Sequence, residues 1–91
     1  MPMKTIWKFP ITESFRAFSI SMPRGATYLH FGEQSGAMQL WMLVDPAAPL
    51  RVRQFRIADD SVEDDDFDDY VHVGSGPRGN LGDILHLFEK R

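Results

Sequence analysis

Residues 80–91 read NLGDILHLFEKR, and this stretch decides the fold class. Leu81, Ile84, Leu85 and Phe88 recur at helical spacing, with Asn80 placed to cap a first turn and Asp83 three positions on. Read as a strand, Leu81, Leu85 and Leu87 share one face and Asp83 interrupts it. Pattern alone leans slightly to the helix. A helix would make an α+β protein with one C-terminal helix on a sheet, whereas a strand would make it all-β.

Working back from there, every other segment reads as strand or turn. Residues 4–9, KTIWKF, alternate Lys4, Ile6 and Lys8 against Thr5, Trp7 and Phe9, and Pro10 is expected to end that strand. Residues 15–22, FRAFSISM, put Phe18, Ile20 and Met22 on one face, and a turn follows at Pro23, Arg24 and Gly25. Residues 26–31, ATYLHF, form a strand, and 32–36, GEQSG, a hairpin loop. Residues 39–44, QLWMLV, are apolar on both faces, as in a central strand. A proline-set loop, DPAAP, leads to a strand at 50–57, LRVRQFRI. A short strand at 70–73, YVHV, precedes GSGPRG at 74–79, read as a flexible turn. The two tryptophans, Trp7 and Trp41, read as core.

At 91 residues the chain has room for one core and hardly for a deep cleft as well, so residues 1–91 are expected to be one domain. Cysteine is absent, which excludes disulfides, thiolate nucleophiles and cysteine metal sites. The longest apolar run, LWMLV, is far short of the roughly 18 residues of a membrane span. The opening MPMKTIWKFP lacks the pattern of a secretory leader, so a cytoplasmic protein is expected.

Charge is the unusual property. Residues 59–70, DDSVEDDDFDDY, hold eight acids and no base in an acidic loop at 59–69: Asp59, Asp60, Glu63, Asp64, Asp65, Asp66, Asp68 and Asp69. All ten Lys and Arg and only five acids lie elsewhere, so the remainder carries +5 although the whole carries −3. Such asymmetry bears on association and steering. The run reads as a solvated loop that keeps the protein soluble, as a segment neutralised internally or head-to-tail by the arginine strand before it, or as a mimic of nucleic acid. Phe67 and Tyr70 are the aromatics within and beside the run, candidate anchors for a partner or pins that hold the loop down.

Familiar motifs fail on context. Residues 74–79 spell G-x-G-x-x-G, but only twelve residues follow, too few for the dinucleotide-binding unit. Asp64, Asp66 and Asp68 match positions 1, 3 and 5 of a calcium loop, yet Asp69 stands where glycine is needed and Ser75 where glutamate is needed. His30, His72 and His86 have no histidine neighbour at ligand spacing and read as structural. No nucleophile-elbow pattern occurs, so no catalytic residue, metal site or cofactor is expected. Arg51 and Arg53 share a face, with Arg56 on the other; they read as a weak phosphate-binding strand or as a charged edge strand.

Residues 3–10 (MKTIWKFP), 40–49 (LWMLVDPAAP) and 86–89 (HLFE), in that order, resemble a family of small phage and prophage proteins. The resemblance implies a phage or prophage origin, an all-β fold and no assigned activity. It tips residues 80–91 toward strand, because relatives carry a continuous apolar run there. Asp83 departs from that run, and the acidic stretch stands where relatives tend to carry a short glycine, threonine and histidine turn.

The fold expected is therefore a small antiparallel sandwich or open barrel of six or seven strands. The function expected is a non-enzymatic inhibitor of a host nucleic-acid-binding defence system, anti-CRISPR or anti-restriction. It would act in the bacterial cytoplasm through an acidic surface that mimics DNA. Its partner would be a host protein with a basic nucleic-acid-binding surface, with no direct nucleic-acid or membrane binding. The alternative is a self-associating structural or accessory phage protein, at its simplest a homodimer.

Overall fold

The computed structural model describes residues 3–11, 17–59, 67–78 and 82–91. Its seven strands are β1 (Thr5–Ile11), β2 (Phe18–Pro23), β3 (Thr27–Gln34), β4 (Ala37–Val44), β5 (Leu50–Ala58), β6 (Tyr70–Arg78) and β7 (Asp83–Lys90). They pair antiparallel in two sheets, ordered β1-β4-β3 and β2-β5-β7-β6. The described residues contain no α-helix, so the fold is all-β and the α+β alternative falls. Extents of 43 × 30 × 16 Å fit two layers, since packed sheets lie about 10 Å apart.

The deciding stretch is a strand with a partner on each side, β5 and β6. Leu85 and Leu87 are buried between the sheets. Asp83 does not interrupt that face, because it sits at the strand's first residue, exposed, and accepts a hydrogen bond from Arg78 Nη2 opposite it. The helical spacing loses because a strand here completes two ladders, and tertiary pairing outweighs a weak local preference.

Four local expectations need correction. Pro10 does not end β1, which runs on to Ile11. As β1 is an edge strand, a residue without an N–H is tolerated on its open side. The GEQSG loop shrinks to a two-residue turn, because Ser35 and Gly36 both take positive φ (55° and 84°) and so match the twist of the flanking strands. GSGPRG is not a turn within its described part, because β6 continues through Gly74, Gly76 and Pro77 to Arg78. The reason lies across the sandwich: a Cβ on Gly76 would come within 2.0 Å of the Phe31 carbonyl oxygen, and one on Gly74 within 2.1 Å of the Tyr28 hydroxyl. These glycines let β6 press against β3. Finally, β5 lies between β2 and β7, so its arginines do not guard an edge.

One core joins the sheets. Met38, Leu40, Met42 and Val44 project inward from central strand β4 and meet Met22, Phe31, Phe55, Ile57, Leu85 and Leu87. Each such side chain contributes about 1.5–3 kcal/mol of burial. Trp7 and Phe9 pack against this cluster from β1, but Trp41 does not join it. It falls on the alternate, outward face of β4, half-buried, with His30 against it at 5.3 Å between ring centroids.

Candidate functional site

The acidic run connects β5 to β6, strands that flank β7 in the larger sheet. Asp60, Glu63, Asp64, Asp65 and Asp66 lie outside the described residues. Asp59 is half-buried directly after β5, while Asp68 and Asp69 are exposed. The Arg91 N–H donates to the Asp69 carbonyl at 2.8 Å and fixes the run's far end beside β7.

Phe67 and Tyr70 are both half-buried. The Phe67 ring lies 4.8 Å from Phe88 and 5.8 Å from Tyr70, and the Arg56 guanidinium sits 4.4 Å from its centroid. Arg56 and Phe88 are register partners on β5 and β7, so Phe67 rests on the outer face of the larger sheet. A cation over an aromatic face contributes on the order of 1 kcal/mol. Phe67 thus ties the acidic run to the sheet.

The same outer face holds a cluster that sequence spacing did not show. His72 Nε2 lies 2.9 Å from Ser75 Oγ, which lies 2.6 Å from His86 Nδ1. The Ser75 hydroxyl has one proton, so it donates to one imidazole and accepts from the other. The sheet brings the two histidines together, because Ser75 and His86 are cross-strand partners and the ladder shifts between His72 and Gly74. The edge of His72 also faces the Phe88 ring at 5.4 Å. Among the described residues no group of three or more His, Cys, Asp or Glu could hold a metal ion.

A second feature lies where β5 and β7 part. Their ladder covers four residue pairs, Phe55↔Glu89 to Ala58↔His86, so residues 51–54 have no ladder partner on that side among the described residues. The space left is a groove of about 550 Å³ whose charged lining is Arg24, Arg51, Arg53, Glu89, Lys90 and Arg91. Arg53 spans the gap. Its Nε and Nη2 donate to the two Glu89 carboxylate oxygens at 2.6 and 2.7 Å, and its Nη1 donates to the Ala26 carbonyl at 2.8 Å. The Glu89 carboxylate, chiefly through these hydrogen bonds, raises the Arg53 pKa above the usual arginine range against the opposing effect of burial. Arg53 therefore neutralises the groove's one acid. Arg24, Arg51, Lys90 and Arg91 are exposed and form no ion pair among the described residues. Sequence reading placed Arg51 and Arg53 on one face; the register of β7 and the β2–β3 turn add the other three cations.

The described residues contain no helix long and apolar enough to cross a membrane. No curated protein and no solved structure matches the chain. A family described as Domain of unknown function (DUF7352) matches residues 3–91, nearly the whole length, and the chain belongs to that family.

Proposed function

We propose that this chain is a non-enzymatic binding protein of phage origin that inhibits a host nucleic-acid-binding defence system, a CRISPR effector or a restriction system, in the bacterial cytoplasm. The observation that carries this reading is the concentration of eight acids in the eleven residues 59–69 of a small domain. A DNA duplex presents one charge per about 1.7 Å of its axis, and proteins that bind it answer with Lys and Arg. Carboxylates held together on a small scaffold offer the same target. They also repel one another by roughly 1 kcal/mol per pair at about 4 Å in water, so a basic partner relieves a cost already present. The seating of Phe67 against Arg56 and Phe88 supports the reading, because a run anchored to a sheet loses less freedom on binding.

The test is capture of host proteins by the tagged chain, beside a variant with all eight acids changed to Asn or Gln. Selective capture of one nuclease or effector by the native chain, weakening steeply with salt, is the expected result. Equal capture by both forms, or binding indifferent to salt, removes the acidic run from the function.

A further inference from the structure

We propose that the groove between β5 and β7 is a docking site for the acidic run of a second copy of this chain. This inference goes beyond the inhibitor reading and does not depend on it. Four cations, Arg24, Arg51, Lys90 and Arg91, converge on one opening without an acid to answer them among the described residues. Glu89 does not lower that charge, being bound at both oxygens by Arg53. The Arg53–Glu89 bridge instead makes a rigid floor, held from below by the Ala26 carbonyl. Above it stand mainly guanidinium groups, whose forked donors pair two at a time with carboxylates. Among the described residues the β5 backbone at 51–54 also has no ladder partner on the groove side, which leaves main-chain donors and acceptors for an extended segment.

Charge complementarity selects the occupant. The chain carries its own multi-carboxylate ligand, eight acids in eleven residues. A long phosphate polymer is the poorer fit, because it would meet those same acids. Arg91 lines the groove, and its N–H donates to the carbonyl of Asp69, the last acid of the run. A second copy lets each excess of charge cancel the other. The run's own end is tied elsewhere, by Phe67 on the outer face against Phe88 and Arg56. Groove and run are different surfaces, so the contact is head-to-tail and extends into chains unless a rotation closes it. A run seated in a neighbour's groove is unavailable to any other basic protein, so assembly and capture of a host partner would compete.

The experiment uses the purified full chain and light scattering after size exclusion. Two variants are needed. One changes Arg24, Arg51 and Arg91 to Glu and leaves the Arg53–Glu89 bridge intact; the other changes the eight acids to Asn or Gln. Circular dichroism and thermal unfolding confirm that both remain folded. For the native chain the mass is expected to rise with concentration at about 0.01 M salt and fall to the monomer at about 1 M, as the screening length shrinks from about 30 Å to about 3 Å. Each variant alone is expected to be monomeric. Mixed, they are expected to form a capped pair at twice the 10.4 kDa chain mass, the acids of one in the groove of the other. A native chain monomeric at every salt and concentration overturns the proposal. So does a mixture that stays monomeric, or a groove variant that associates as the native chain does. Salt-sensitive binding of a labelled single-stranded oligonucleotide by a monomeric native chain, lost in the groove variant, assigns the groove to nucleic acid instead.

Discussion

The two ends of β6 and its neighbours show opposite ways of filling space. Near Gly74 and Gly76 the sheets touch, Gly76 against the Phe31 backbone and Gly74 against the Tyr28 side chain, with no room for a Cβ. Near Arg53 and Glu89 the strands separate, and an ion pair with solvent access fills the gap. The first region closes the sandwich by omitting side chains. The second holds it open with side chains that cannot be fully desolvated, since a charge removed from water without full pairing is costly. One sheet thus carries a closed seam and an open, charged groove.

The seam is the place to break this contrast most sharply. Gly76→Ala is expected to destabilise the protein by about 3 kcal/mol, the upper end for overpacking, because its methyl meets a main-chain oxygen that cannot step aside. Gly74→Ala is expected to cost less, about 1–2 kcal/mol, because the Tyr28 ring it meets can move. Urea unfolding of the two variants gives the difference directly. Equal costs would mean that the seam yields as a whole and is not held by the Phe31 backbone.

At the groove the expected effects are smaller than at Gly76. Arg53→Met leaves the Glu89 carboxylate without its two charge-assisted bonds, at a cost of about 2 kcal/mol, discounted because both side chains keep 22% exposure. Glu89→Gln keeps one acceptor and is expected to cost about half of that. A double-mutant cycle with Arg53→Met and Glu89→Met isolates the coupling; a value near zero would demote the bridge to a surface contact.

The smallest effect belongs to pH and returns to the seam. Burial, partly offset by a hydrogen bond with the Phe31 backbone, raises the Tyr28 pKa above the usual tyrosine value. A raised pKa means that the folded state holds its proton more tightly than the unfolded state. The resulting stability is fully present below the ordinary tyrosine pKa of about 10 and is lost as pH climbs through the folded value. Unfolding followed between about pH 8 and pH 11 should show that decline in the native chain and a weaker one in Tyr28→Phe. An identical decline in both would remove Tyr28 from the alkaline response.

Several strands were legible because their side chains alternate. Trp7 and Phe9 against Lys4, Ile6 and Lys8, and Phe18, Ile20 and Met22 along β2, mark inward faces that the fold keeps. Glycine and proline misled wherever position in a sheet decided their role. Pro10 and Pro77 lie on edge strands, and Gly74 and Gly76 at a contact between sheets. No local pattern carries that information. Trp41 misled for a related reason: on a strand apolar on both faces, composition does not say which face lies between the sheets.

By itself the sequence determined the strand-rich character, the absence of cysteine chemistry and the gathering of acids at 59–69, since these follow from residue type and order alone. Only the tertiary structure decided that residues 83–90 are a strand, because β5 and β6 must both be paired. It also decided that His72, Ser75 and His86 meet and that five cations from β5, β7 and the β2–β3 turn surround one groove. Those neighbours lie up to 67 positions apart, from Arg24 to Arg91, and strand register alone sets such distances.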